Sequence, residues 1–270
     1  MRLIIKKKLF LKLNIWNYKG LIDMMVIIPL LIKNDTCKCF DLKSRLGETV
    51  LLQSEALRLP VDIEKIFSDI EKVKLDRLYR NKKRQQQLIL GRLMIRQLII
   101  QNNNLEEDFD LQRIQILNED DGIKGSPFFL IDGVKNGDDI SISYTTDYVC
   151  VGYGKKCKIG VDIEKIFNIE NIKHLKTIFS QNEWEDIFRN VINKKQLKER
   201  MTLKWCVKEA ILKAAGIGFK QGFKSIEVYY SKKEKCHVIR GTDGILDPQK
   251  KYLLHYSYND DLCQIICFIV

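Results

Sequence analysis

Two short stretches carry side chains whose types and spacing suit metal and phosphate chemistry. The first, Trp205-Cys206-Val207-Lys208-Glu209-Ala210-Ile211-Leu212-Lys213, reads as helix. At about 3.6 residues per turn, Trp205, Glu209 and Lys213 share one ridge with Lys208 beside them, so a carboxylate lies between two ammonium groups. The opposite face, Leu203, Cys206, Val207, Ala210, Ile211 and Ala214, is apolar and suited to packing on a sheet. The second stretch is Val-Asp-Ile-Glu-Lys-Ile-Phe, which occurs twice, at 61–67 and 161–167. Context separates the copies. Pro60 opens a helix at the first, with Asp62 and Glu64 in its first turn, whereas Lys158-Ile159-Gly160 carries a strand into the second. On a strand, residues i and i+2 point to the same side, so Asp162 and Glu164 present their carboxylates together; on a helix, Asp62 and Glu64 diverge by about 200°. Chemistry is therefore assigned to the second copy. Asp162, Glu164 and Glu209, with no His or Cys beside them, make a hard oxygen set of the kind that holds Mg²⁺ together with substrate phosphates. Acidic pairs also occur on edge strands without any ligand, and the pair alone leaves both readings open.

The elements that must hold these residues follow in order. Gly47 to Leu52 reads as extended. One helix is predicted from Pro60, with Ile63, Ile66, Phe67, Ile70 and Val73 at helical spacing, and a second over 83–101. A short strand near 114–117 and a turn-rich loop from Gly122 to Pro127 come next. Ile140 to Tyr153 reads as a strand pair broken at Thr145-Thr146-Asp147, and Lys158 to Ile163 as a further strand. Ser180-Gln181-Asn182-Glu183 is a capping box ahead of a helix from Trp184 to Val191, so Ser180 and Glu183 are assigned to capping. The helix bearing Trp205 ends at Gly216, and the segments 226–230, 236–239, 252–256 and 263–270 read as a β-meander. Helix, helix, strands recur on either side of Gly154. The expected fold is α+β, a pseudo-twofold duplication of two similar lobes at 47–153 and 154–270, each a small, mostly antiparallel sheet packed with helices. Residues 1–46 are an N-terminal extension, read as strand-forming or as an organelle address.

Composition narrows the partners without choosing one. The 270 residues carry a net charge of +11, which favours an anionic partner. Eight cysteines include no C-x-x-C pair, the usage of a reduced, cytoplasmic protein. The apolar run from Met24 to Ile32 contains Pro29 and is far shorter than the roughly 20 residues of a membrane span. A nucleic-acid-binding role has net charge alone in its favour, with no aromatic and basic interleaving to support it.

Three blocks together carry a resemblance. Gly160-Val161-Asp162-Ile163-Glu164, then Phe179-Ser180-x-x-Glu183, then Trp205-x-x-Lys208-Glu209-Ala210-x-x-Lys213-Ala214-x-Gly216 resemble, in order and spacing, the 4′-phosphopantetheinyl transferase superfamily. The length and repeated layout are similar to its two-lobed monomeric type. In the first lobe, Gly91-Arg92-Leu93-Met94-Ile95-Arg96, Lys124-Gly125-Ser126-Pro127 and Ser141-Ile142-Ser143-Tyr144-Thr145 resemble that type's helix, Gly-Lys-Pro loop and Asn-Ile-Ser-His-Ser segment. The resemblance implies transfer of phosphopantetheine from coenzyme A to a serine of an apo carrier protein, with release of adenosine 3′,5′-bisphosphate. It also implies that Asp162, Glu164 and Glu209 bind Mg²⁺, that Glu209 is the base for the serine hydroxyl, directly or through a water, and that Lys213 neutralises the leaving phosphate. Lys74, Lys124, Ser126, Ser143, Tyr144, Asp162, Lys208 and Lys213 are the implied coenzyme contacts. Three departures touch the phosphate grip: Tyr144 stands for the family's His, Ser126 for its Lys, and Gln87 for an arginine. A non-catalytic family member that binds a carrier or nucleotide is the alternative. The implied partners are coenzyme A and an apo acyl or peptidyl carrier protein, with no nucleic acid and no membrane, and a segment from Gly218 to Phe223 is a candidate carrier contact.

Overall fold

The computed structural model describes residues 42–44, 46–53, 62–77, 80–106, 109–120, 124–167, 178–217, 223, 225–231, 236–241, 246–247, 249–259 and 261–270. The readings for most of the N-terminal extension, for Pro60 and for 218–222 lie outside these residues. The described chain forms two compact units.

The N-terminal unit comprises residues up to 142 together with 146–156. Strands β1 (Leu42–Ser44), β2 (Gly47–Gln53), β6 (Asp139–Tyr144) and β7 (Tyr148–Gly154) form one sheet in the order β1-β2-β7-β6, and β3 (Ile114–Asp120), β4 (Lys124–Ile131) and β5 (Val134–Lys135) form another in sequence order. Residues 124–127, expected in a loop, therefore open a strand. The single helix expected from Pro60 through Val73 is also corrected. Helix α1 (Ile63–Ile66) stops at Phe67, where φ −109° and ψ 141° are extended, and α2 (Asp69–Asp76) starts afresh behind Ser68. A second capping box breaks the run: Ser68 and Glu71 satisfy the first amides of α2 between them, which locks Ser68 out of the helix. Ile70 and Val73 then stay half exposed while Phe67 is buried. Helix α3 (Lys82–Asn102) packs on β7 behind its N-cap Asn81.

The C-terminal unit comprises residues 143–145, the end of β6, together with 157 onward. Strand β8 (Lys158–Lys165) pairs with β12 (Leu262–Ile269), which pairs with β11 (Tyr252–Asn259); all are antiparallel. Among the described residues β9 (Ile226–Ser231) and β10 (Cys236–Gly241) pair only with one another, so the four expected strands are a separate hairpin and a sheet completed by β8, not one meander. Helix α4 (Gln181–Phe188) begins at the expected Ser180 and Glu183 capping box, and the 21-residue α5 (Lys194–Ala214) lies on β8 and β12. Its apolar face, Cys206, Val207, Ala210, Ile211 and Ala214, is in the core, and Gly216 closes the helix with φ 70°.

The two units repeat one plan. A shift of 112 residues carries α2 onto α4 and α3 onto α5, end residue for end residue, and brings β2, β3, β4, β6 and β7 onto β8, β9, β10, β11 and β12 to within about three residues. The strand order β2-β7-β6 likewise matches β8-β12-β11. The identical heptapeptides, 100 residues apart, do not belong to this repeat: one contains α1, and the other begins in β8 and runs past its end at Lys165. The duplicated block is instead Phe67-Ser68-x-x-Glu71 and Phe179-Ser180-x-x-Glu183.

One glycine sets how closely β8 approaches α5. A Cβ on Gly160 would overlap the Ala210 carbonyl and stand 2.6 Å from the Ala214 amide nitrogen. Backbone rests on backbone there, with Ala210 and Ala214 as the small residues that permit it. Gly160→Ala must push the strand off the helix, and overpacking of this kind costs typically 1–3 kcal/mol. Urea denaturation followed by circular dichroism is expected to show a loss of about 1–3 kcal/mol; an unchanged midpoint would show that the seat is slack.

Candidate functional site

The seat at Gly160 delivers Asp162 to the helix. Asp162 is 2% exposed, with Val161 and Ile163 in the core on either side of it. Its Oδ1 accepts from Ser143 Oγ at 2.8 Å and from Lys213 Nζ at 2.7 Å, while its Oδ2 is buried without a hydrogen-bond partner. Ser143, at the end of β6, also accepts from Lys213 Nζ at 3.0 Å and from the Ile163 amide at 3.4 Å. Glu209 meets Lys213 one turn on, with Oε2 at 3.4 Å from Nζ. Lys213 Nζ reaches a fourth oxygen, the Val161 carbonyl, at 3.2 Å.

The electrostatics follow from three carboxylates and one ammonium in a half-dry place. Burial pushes Glu164 up to about 7, and the charges of Asp162 and Glu209 act in the same direction, against Lys213 and the Trp205 indole. Burial also raises Glu209, offset in part by Lys213. For Lys213, burial opposes the charge, but Asp162 and Glu209 outweigh it and hold its pKa above the ordinary lysine value.

The donors fit a magnesium ion in kind: carboxylate oxygens, one of them a buried Oδ2 without a partner. Among the described residues, however, no three metal-ligating side chains are gathered closely enough to hold a metal ion. The Lys213 ammonium is the cation between Asp162 and Glu209 in this arrangement.

Lys208 is placed elsewhere, and the expectation that it faces phosphate is corrected. Its ammonium is buried against Glu183 Oε2 at 2.9 Å and the Ile178 carbonyl at 3.1 Å, over the rings of Phe179 and Phe223. Lys208 and Glu209 are neighbours in sequence but lie about 100° apart around the helix, so one points inward when the other points to the cluster. Glu183 does more than cap: its Oε1 accepts the Val228 amide and its Oε2 the Ser180 amide. The N-terminal unit repeats this pairing. Glu71 accepts from Arg96 at 2.7 Å, and both pairs are 25 residues apart in sequence. There the metal-site positions shifted by 112 hold Val50, Leu52 and Gln97, so the pairing occurs without the carboxylate cluster. Lys204, which sequence reasoning missed, is a second buried cation of α5, bound to Asp186 Oδ2 and the Val228 carbonyl, each at 2.5 Å. Only its inward position on the helix wheel could have flagged it.

The remaining candidates fall as follows. Trp205 packs on Phe223 at 4.6 Å between ring centroids and edge-on to Phe167. Phe223 is in the core, while the rest of the proposed carrier segment lies outside the described residues. Tyr144 is half-buried at the end of β6. Lys74, Lys124, Ser126 and Gln87 belong to the N-terminal unit, and the side chain of Lys124 is outside the description. Ser126 is half-buried in β4, and Gln87 donates to the Thr146 carbonyl. Lys74 donates to Asn118 Oδ1 at 2.6 Å, and Arg92 reaches the same oxygen at 3.5 Å. Asp62 and Glu64 of the first heptapeptide are exposed, Asp62 as the N-cap of α1.

Two buried features give direct tests. Glu183→Gln leaves the Lys208 charge uncompensated, and breaking a buried pair costs about 3–5 kcal/mol; Glu71→Gln is expected to cost the same order through Arg96, read as a lower urea midpoint in each variant. Burial, followed by Arg92 and Arg84, lowers Lys74 to about 8 from 10.5. The unfolded chain therefore binds more protons between those values, and this lysine's penalty on folding shrinks as pH rises through the window. The stability gained by Lys74→Met at pH 7 is expected to vanish by about pH 10.5; a gain independent of pH would refute the assignment.

Comparison with known proteins supplies four likenesses. The pattern of the 4′-phosphopantetheinyl transferase superfamily (ACPS) matches residues 158–266, all within the C-terminal unit. A holo-[acyl-carrier-protein] synthase of Wolbachia pipientis subsp. Culex pipiens (strain wPip) is 33% identical over 125 residues, covering 42% of this chain and 94% of that protein. Among solved structures, a holo-(acyl-carrier-protein) synthase from Bacillus anthracis str. Ames in complex with CoA (3′,5′-ADP) aligns with TM-score 0.34 and 22% identity over 42% of this chain and 94% of its own. The holo-ACP synthase of Plasmodium yoelii aligns with TM-score 0.32 and 20% identity over 42% and 92%.

Proposed function

We propose that this chain, which belongs to the 4′-phosphopantetheinyl transferase superfamily, transfers the 4′-phosphopantetheine group of coenzyme A to a serine of an apo carrier protein. The observation that carries the reading is the meeting of Asp162, Glu209 and Lys213 within one unit, on the strand and helix that the family pattern spans. Phosphoryl transfer asks a protein to position its substrates and neutralise charge, and needs little covalent chemistry of it.

The serine oxygen forms a bond to the phosphorus next to the pantetheine, and the bond to the bridging pyrophosphate oxygen breaks, releasing adenosine 3′,5′-bisphosphate. The serine proton passes to Glu209, which burial makes a stronger base than an exposed glutamate. Lys213, on a flexible stem, neutralises the leaving phosphate. Asp162, Glu164 and Glu209 are the residues that would hold Mg²⁺, which supplies positive charge on the pyrophosphate when bound. Ser143 orients Asp162 by donating to its Oδ1. Tyr144 offers one hydroxyl where the family pattern has an imidazole, and this weakens the hold on the 3′-phosphate. No helix among the described residues is long and apolar enough to cross a membrane.

Incubation of the protein with coenzyme A, Mg²⁺ and an apo acyl carrier protein is expected to add one phosphopantetheine to the carrier by intact-mass spectrometry. Glu209→Ala is expected to slow the reaction at least about a hundredfold, and chelation to stop it. No mass gain under any metal condition would refute the reading. Tyr144→His is expected to lower KM for coenzyme A, and an unchanged KM would remove Tyr144 from the phosphate grip.

A further inference from the structure

The carboxylate cluster is already neutralised in part, and by a group that can leave. Four oxygens surround Lys213 Nζ: Asp162 Oδ1 at 2.7 Å, Ser143 Oγ at 3.0 Å, the Val161 carbonyl at 3.2 Å and Glu209 Oε2 at 3.4 Å. That is the surrounding of a bound cation, and two of the four oxygens come from residues assigned to the metal. The ammonium has three protons to donate and meets four acceptors, so at most three are well served at once. The Lys213 side chain is 30% exposed, which leaves it a path outward, whereas Asp162 is fixed by its strand and by Ser143. Lys208 and Lys204, the other inward cations of α5, have no such freedom: each is itself buried and held by a carboxylate of α4.

We propose that Lys213 is the resting counter-ion of this cluster, and that its ammonium and a divalent cation exchange for the same oxygens of Asp162 and Glu209. The inference rests on the reading of the cluster as a metal site and deepens it. In the free protein the ammonium competes with the metal. A polyphosphate ligand draws the ammonium outward and, by leaving the carboxylates exposed to the metal, raises metal affinity. Metal and coenzyme phosphate are thus coupled through one side chain, and the coupling is reciprocal. Lys213 has two successive partners in this scheme, carboxylate before loading and phosphate after it.

The test uses Mn²⁺ as probe, measured by electron paramagnetic resonance on the full chain without any nucleotide. Lys213→Met keeps the length of the side chain and removes its charge. The variant is expected to bind Mn²⁺ at least about tenfold more tightly than wild type, within the usual range of coupling between sites; equal or weaker binding overturns the proposal. A second measurement needs no variant. With ¹⁵N-lysine-labelled protein, Mg²⁺ is expected to shift the Lys213 Nζ resonance as the ammonium leaves Asp162, and a fixed resonance at saturating Mg²⁺ also overturns the proposal. If neither protein binds Mn²⁺ at millimolar concentration, this inference and the magnesium part of the functional reading fall together. If wild type modifies a carrier with Mg²⁺ while the variant binds Mn²⁺ no more tightly, the inference alone falls.

Discussion

The candidate site depends on one contact without side chains, the seat of β8 on α5 at Gly160. A strand normally packs on a helix through two layers of side chains, at about 10 Å or so between backbones. Here the Gly160 backbone lies against the Ala210 carbonyl. The approach lets a helix lysine, Lys213, donate to a strand carbonyl, Val161, and to the carboxylate one residue on. With side chains at that seat, Asp162 and Glu209 would be held too far apart to share one ammonium. The glycine, the two alanines of the helix and the acidic residues of the strand are therefore one geometric device, and the motif residues without functional groups are as necessary to it as those with them.

Buried charge organises both units around their long helices. Each places a glutamate, third residue of a capped short helix, against a cation of the next helix, and each does so at the same spacing. Such a pair is a weak source of net stability but a strong source of specificity, since any slip of the helix would strand a charge in the core. The surroundings differ. In the C-terminal unit Asp186 answers the second cation, Lys204. In the N-terminal unit the positions 112 residues earlier hold Lys74 and Arg92, which share the neutral oxygen of Asn118; Arg92 Nε also lies 3.6 Å from Glu71 Oε1, and its Nη1 is buried without a hydrogen-bond partner. At these two positions the C-terminal unit pairs its cation with a carboxylate, and the N-terminal unit sets two cations on one neutral oxygen.

Much of this was legible in the sequence, for definable reasons. The strand context of 161–167, the helix ridge of Glu209 and Lys213, and the Ser180 box are local patterns with one strong reading each. The errors came where two local signals competed or where the third dimension decided. Helical spacing across Phe67 outweighed a Ser-x-x-Glu signal that the structure obeys. The two heptapeptides are alike in sequence and differ in structure because of what precedes each, which the context already separates. The resemblance puts Lys208 among the coenzyme contacts, and only the position of Glu183 on another helix reveals its partner here. The Lys213 position among four oxygens required Ser143, 70 residues away, which no local pattern links to it.

The sheet of the C-terminal unit has a consequence for how the protein comes into being. Its central strand is β12, every residue of which is buried, and β12 pairs Ile265 with Asp162 across about a hundred residues of chain. The strand that bears the carboxylates therefore emerges from the ribosome with no sheet to join, and at 5–20 residues per second it waits roughly 5–20 seconds for its neighbour. Until then α5 has β8, α4 and the β9 hairpin against it, and the part of its apolar face that β12 covers is open. Contacts of such long separation form slowly once the strand arrives. The site is thus among the last features of the molecule to take shape, and the time between synthesis of Asp162 and arrival of Ile265 is when the chain is most exposed to aggregation and proteolysis.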